Sequence, residues 1–250
     1  MAIAIAAVRR RPISAERWFY SGMALFLVIV VFAGFAPSYY LRGVVPDSIT
    51  SFLDDPPQAI RGLFLVHGAL FSAWFLLQLS QSLLIGATRL DLHRRLGVSA
   101  LILAPLLVLS SMLVVFYTVR NGFHDTKESP LKLAAHPVFL LIWFSGFVAT
   151  GMLLRRKAQW HKRLMLLASI LMTQPAIARL TWLRYPDFLP SWWEWIIPLV
   201  VPLLVWDLAT LRRLHPATLV GVTAFLLMFP LTNVVRATPE WLATIATLTH

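Results

Sequence analysis

Four histidines in this sequence fall at matched positions, and imidazoles so placed can do chemistry. His67 opens the phrase HGALFSAWF and His136 the phrase HPVFLLIWF, each seven residues ahead of a tryptophan, Trp74 or Trp143. His93 lies in DLHRRL, 26 residues after His67, and His161 lies in QWHKRL, 25 residues after His136. A neutral imidazole is a good ligand for iron, copper or zinc, and two of them on facing helices can supply both axial ligands of a haem iron. A haem also needs cations for its propionates. Arg94 and Arg95 adjoin His93, Lys162 and Arg163 adjoin His161, Arg61 lies near His67 and Lys132 near His136. Each histidine also has a plainer reading. One at an interface beside arginine is a solvated or headgroup residue, and a deeper one is a structural group bonded to a helix carbonyl. The residues alone leave both readings open.

Other chemistries are poorly provided for. There is no cysteine, which excludes disulfides, cysteine-bound iron–sulfur clusters and a thiolate haem ligand. No Gly-rich phosphate loop, HExxH or nucleophile elbow is present, and the acids are too scattered for a paired-carboxylate site. His124, His215 and His250 read as surface residues. Asp207 reads as an interfacial acid paired with Arg212 or Arg213, and Arg179 as a partner for an acid, a quinone or a lipid headgroup.

The elements that must position the histidines are membrane helices. Apolar residues make up 58% of the 250-residue chain and charged ones 13%, against about 25% charged in an ordinary soluble domain. Mean hydropathy is +0.73. Runs long enough to cross a bilayer lie at about Trp18–Ser38, Gly62–Ala87, Leu96–Val119, His136–Leu154, Leu164–Leu183, Trp193–Leu211 and Ala217–Val235. The expected fold class is therefore all-α, a polytopic membrane bundle of about seven helices forming a single domain over 1–250. The fifth run is the most polar, with Thr173, Gln174, Pro175 and Arg179, so it is expected to face other helices. No lysine sits in the seventh run to carry a retinal Schiff base.

The net charge of +11 is distributed as a topology signal, which argues against nucleic acid as a partner. Arg9, Arg10, Arg11, Arg17, Arg89, Arg94, Arg95, Arg155, Arg156, Lys157, Lys162, Arg163, Arg212 and Arg213 fall on one side. Asp47, Asp54, Asp55, Asp125, Glu128, Asp187 and Glu194 fall on the other. The positive-inside rule puts the segment 1–17 in the cytoplasm and the tail 236–250 outside, in the periplasm or extracellular space. The first helix is expected to remain as an anchor. Trp192, Trp193 and Trp195 read as an interfacial belt, and Thr238–Pro239–Glu240–Trp241 as the start of a short surface helix. Residues 62–183 read as a two-helix hairpin repeated in the same orientation, with His67 and His136 towards the outer face and His93 and His161 at the inner one.

Two resemblances follow from these residues. GFAPSYYLR, HGALFSAWFLLQLSQSLL, RLDLHRRLG and HKRLM resemble phrases found in a widespread group of bacterial multi-pass membrane proteins, which implies a bacterial inner-membrane location but no activity. The order of the four histidines over 62–183 resembles that of the cytochrome b561 family, in which four helices carry two bis-His haem b groups. That resemblance implies an electron-transfer protein with two haem b groups, His67 with His136 at the outer one and His93 with His161 at the inner one. Arg94, Arg95, Lys162 and Arg163 would face the propionates, and quinone or a membrane protein complex would be the partner. The alternative is a non-catalytic accessory subunit or transporter-like bundle whose histidines are structural or bind a metal transiently.

Overall fold

The structure, a computed structural model, describes residues 15–44, 61–121, 130–180 and 193–249, and these are helical, with no strand among them. His124, His250, Arg9 to Arg11, the acids Asp47, Asp54, Asp55, Asp125, Glu128 and Asp187, and Trp192 lie outside the described residues.

Helix α1 spans Ala15–Phe35 and runs into a π-helical turn, Ala36–Tyr40, where Pro37 interrupts the regular ladder. Then follow α2 (Arg61–Gly86), α3 (Leu90–Gly97), α4 (Ala100–Asn121), α5 (Pro130–Leu133) and α6 (Ala135–Leu153). The order closes with α7 (Ala158–Met172), α8 (Gln174–Ile177), α9 (Trp193–Leu211), α10 (Pro216–Arg236) and α11 (Pro239–Thr249). The expected surface helix begins as its sequence suggested. Thr238 Oγ1 accepts the Trp241 N–H at 3.3 Å, and Trp241 Nε1 donates to the Leu131 carbonyl at 2.9 Å, tying α11 down against α5.

Five stretches are long and apolar enough to cross a membrane: Ala15–Tyr40, Arg61–Gly86, Leu90–Arg120, Ala135–Leu153 and Pro216–Arg236. Their outward faces carry large apolar side chains. Leu25, Ile29 and Phe32 on α1, Leu76 and Leu83 on α2, Leu101, Ile102 and Leu109 on α4, and Leu219 and Leu227 on α10 are all exposed. Contiguous apolar surface on this scale is incompatible with water, so the chain is a multi-pass membrane protein whose solvent is lipid.

The third expected run is longer than its hydropathy suggested. The helical stretch opens at Leu90, so His93 lies in its first turn. The chain reaches it from α2 through a Schellman turn. Arg89 N–H bonds to the Leu84 carbonyl and Thr88 N–H to that of Ile85, with Thr88 at φ 60°. A β-branched residue in that region is strained, and the two carbonyls it satisfies would otherwise be orphans of the α2 end.

The fifth expected run differs most. It is the 15-residue α7 followed by the single turn α8, with every residue from Arg163 to Met172 buried. Helix α7 is the axis of the bundle, packed on by α1, α2, α6, α9 and α10. Close approaches seat it and the turn α8 that follows. Gly34 of α1 lies on the Ala176 backbone, Gly151 of α6 on Met165 and Gly221 of α10 on Leu167. Trp74 is buried edge-on to Phe144 at 5.0 Å, and its Nε1 donates to Ser169 Oγ of α7 at 3.2 Å.

Candidate functional site

His93 and His161 occupy equivalent places in their helices. Each is the fourth residue of a helix whose preceding residue is basic and non-helical: Arg89 at φ −93°, ψ 64° before α3, and Lys157 at φ −98°, ψ 83° before α7. The two imidazoles meet, with ring centres 6.3 Å apart and planes at 88°. His161 Nδ1 lies 2.8 Å from the Gly151 carbonyl, one of the orphan acceptors at the end of α6. The proton is therefore on Nδ1, and Nε2 keeps a lone pair. His93 Nδ1 lies 3.4 Å from the Gln81 carbonyl, a longer contact because that oxygen already serves the α2 ladder. The Gln81 side-chain amide also reaches His93. With its oxygen accepting from Gly97 N–H (3.2 Å), its nitrogen donates to the His93 carbonyl (3.0 Å) and to Nδ1 (2.6 Å), placing the ring proton on Nε2. With the amide reversed, its oxygen takes an Nδ1 proton and Nε2 becomes the acceptor. Gln81 thus sets the His93 tautomer. In both rings Nδ1 is engaged and Nε2 is the remaining atom.

The cations around this pair divide in two. Arg94 and Arg95 are exposed beside His93. Arg163, expected to face a propionate, is instead 1% exposed and bonded to Asp207, itself 0% exposed. Lys162 is ion-paired with Glu16 of α1 and stands over the Tyr20 ring at 4.9 Å. Both cations are ion-paired for one reason. The interior of a membrane bundle does not tolerate a free charge, so cations that enter it are claimed by whatever acid is within reach.

The same finding corrects Asp207. It pairs with neither Arg212 nor Arg213, which are exposed; Arg212 adopts φ 57° as the chain leaves α9, while the carboxylate points inward. Arg163 Nε donates to Oδ1 at 3.0 Å, and Nη2 also donates to it; His215 N–H (3.0 Å) and Thr218 Oγ1 (2.6 Å) donate to Oδ2. Gln159 takes the other edge of Arg163, its carbonyl accepting from Nη1 at 3.1 Å. His215 is no bystander on the surface. It is the N-cap of α10, its Nδ1 accepting from Ala217 N–H at 3.1 Å, and its ring lies edge-on to Trp160 at 5.5 Å. Burial, followed by the nearby Arg163 charge, holds its pKa below the ordinary histidine value. Glu16, Gln159 and Thr218 were not foreseen. Glu16 is the sole acid of α1 and Gln159 stands one turn before Arg163, which are the signals that could have found them.

His67 and His136 are held apart in their bonding. His67 Nδ1 lies 3.2 Å from Ser110 Oγ on α4, and since that hydroxyl donates to the Leu107 carbonyl at 3.0 Å, it accepts from the ring. His136 Nε2 lies 2.9 Å from Gln174 Oε1 on α8. Among the described residues the two rings share no contact or common partner, and they present different nitrogens, Nε2 at His67 and Nδ1 at His136. No group of three or more metal-binding side chains occurs among the described residues. Arg179 donates from Nη1 to the Pro175 carbonyl at 2.8 Å and lies over the Phe35 ring at 4.6 Å. No protein family, no curated protein and no solved structure matches this chain.

Proposed function

We propose that this chain is a membrane electron-transfer protein whose redox centre is one b-type haem, held by His93 and His161 at the basic end of the bundle. The observation that carries the reading is the meeting of these two imidazoles, 6.3 Å between ring centres, with both Nδ1 atoms engaged by protein oxygens or by the Gln81 amide. Imidazole nitrogens bind metals at ~2.0–2.1 Å, so two rings whose centres lie about 6 Å apart could hold one metal between them. Histidine ligands usually donate the second ring N–H to a carboxylate, a backbone carbonyl or water, which sets tautomer and orientation. His161 meets that condition as it stands. His93 meets it once the Gln81 amide reverses and turns its oxygen to Nδ1, giving up the bonds that amide makes to the His93 carbonyl and to Gly97 N–H. Bound there, a haem would supply one-electron chemistry, and Arg94 and Arg95 remain for its propionates.

The outer site implied by the histidine order has no comparable support, because His67 and His136 are satisfied on different helices. We therefore read one haem, not two, with quinone or a membrane protein complex exchanging electrons. The runs at 164–183 and 193–211 are read as spans too, giving seven crossings in a bacterial inner membrane with the basic end in the cytoplasm. Behind the hairpin repeat stand the matched starts of α3 and α7 and their matched histidines, and behind the count stands the apolar length of the seven runs. A second reading is favoured by one observation: each of the four histidines has a partner within the protein, as structural histidines do. In that reading the chain is a non-catalytic bundle.

A visible spectrum separates them. Protein purified from cells supplied with a haem precursor is expected to show the Soret and reduced α bands of a b haem. His93→Ala and His161→Ala each abolish them, whereas His67→Ala and His136→Ala leave them in place. A colourless wild-type protein sinks the haem reading and leaves the second.

A further inference from the structure

At the end of the bundle opposite the basic loops, Arg179 has no acid partner among the described residues. It follows the turn α8, next to the exposed Ala178. Its guanidinium makes one hydrogen bond, Nη1 to the Pro175 carbonyl, and no ion pair among the described residues; its Nε is shielded from solvent with no acceptor. Stacking on Phe35 supplies a cation–π contact but no acceptor for the remaining N–H groups. The contrast with the other end is informative. There, buried Arg163 and half-buried Lys162 each have a carboxylate. A second donor is stranded nearby in sequence terms: the Ser38 hydroxyl, three residues beyond Phe35, is buried without a partner. His67 does not fill the gap, since its proton faces Ser110 and its free nitrogen is an acceptor.

The level in the membrane narrows the ligand. Phe35 lies five residues from the tip of the span Ala15–Tyr40. At ~1.5 Å per residue that is about 7–8 Å below the tip. A 26-residue span is about 39 Å long, against about 30 Å of hydrocarbon. The guanidinium over Phe35 therefore stands close to the boundary between hydrocarbon and headgroups, where an arginine side chain can reach a phosphate. Beside it, Phe32 and Ile29 of α1 are exposed to lipid.

We propose that Arg179, together with the Ser38 hydroxyl in the π-helical turn that follows Phe35, forms a binding site for a phosphate-type oxyanion, supplied by an anionic lipid headgroup or by free phosphate. A planar guanidinium with open N–H groups is suited to two-point contact with phosphate oxygens, and the ligand would provide the counter-charge that the described residues do not supply.

The test uses the full chain in nanodiscs, with the thermal midpoint read by tryptophan fluorescence. Replacing part of the phosphatidylcholine by phosphatidylglycerol is expected to raise the wild-type midpoint by several degrees. Arg179→Gln removes most of that rise, and Arg213→Gln, exposed at the other end, does not. Inorganic phosphate titrated into phosphatidylcholine discs distinguishes the sources: a rise there assigns the site to free phosphate, and a rise with phosphatidylglycerol alone assigns it to lipid. If neither raises the midpoint, or if Arg179→Gln keeps the full rise, the proposal is overturned. Should Arg179→Gln fail to accumulate, native mass spectrometry of the wild type decides. Retained phospholipid or phosphate after detergent exchange supports the site, and its absence refutes it.

Discussion

Removing the two partners of the Arg163–Asp207 pair one at a time should give unequal losses. Asp207 accepts from four donors: Arg163 Nε and Nη2, the His215 N–H and the Thr218 hydroxyl. Asp207→Ala strands all four at a site where both side chains are almost wholly shielded. The guanidinium cannot relieve itself by losing a proton. Breaking a buried pair in this way costs about 3–5 kcal/mol. At about 1.4 kcal/mol per factor of ten, that is a hundredfold to several-thousandfold loss in the folding equilibrium. Arg163→Met is milder. Asp207 keeps two hydrogen bonds and can take up a proton, so the loss should approach that of hydrogen bonds to a charged group, about 1.5–3 kcal/mol. Arg163→Met/Asp207→Leu should be more stable than Asp207→Ala alone, because no charge is left buried. The assay is unfolding in mixed micelles titrated with a denaturing detergent, followed by tryptophan fluorescence. A loss under about 1 kcal/mol for Asp207→Ala, or a larger loss for Arg163→Met, would show that the site is wetter than its burial implies, and the reasoning would fail.

Two further outcomes can be checked with the same assay. Gly34→Ala places a methyl against the Ala176 carbonyl, which is backbone and cannot move aside; a loss of about 1–3 kcal/mol or more is expected, while Gly146→Ala, with open space around it, should be neutral or stabilising by up to about 1 kcal/mol. His215 titrates below the ordinary value in the folded chain, so as pH falls through about 6.5 the unfolded chain takes up its proton first and stability drops. His215→Asn keeps a capping oxygen without the titration, and should lose less stability than wild type between pH 7 and pH 5. Equal acid losses in the two proteins would remove His215 from the account.

The lipid-facing part of the fold was legible because hydropathy measures the transfer that drives it. Runs at 18–38, 62–87 and 217–235 map onto α1, α2 and α10 with small shifts at their ends. What hydropathy cannot distinguish is lipid from protein as the apolar surroundings, and α7 shows the consequence. The polar residues marking the fifth run as weak are there because the helix is wrapped by its neighbours. In the candidate site, the meeting of His93 with His161 followed from their equal places after basic hairpin turns. The separation of His67 from His136 did not follow, since it depends on Ser110 and Gln174, which lie 43 and 38 residues away from them. Asp207 was misassigned to sequence neighbours because its partner lies 44 residues back, across a chain reversal.

The start of α7 ties these observations together. His161, Lys162 and Arg163 are consecutive, and at about 100° per residue their side chains spread over roughly 200° of the helix circumference. Each meets a different neighbour: His161 the end of α6 and the His93 ring, Lys162 the start of α1, and Arg163 the turn between α9 and α10. A uniformly buried apolar helix could rotate or slide by a residue at small cost in transfer energy, because all its faces are alike. Three polar anchors pointing in three directions remove that freedom. A slip of one residue would turn every anchor by about 100° and break both ion pairs, leaving four charges without partners. The ion pairs contribute register more than stability, and register is what holds the His161 ring against His93. Without them the remaining packing would specify a buried helix but not which of its faces carries the imidazole.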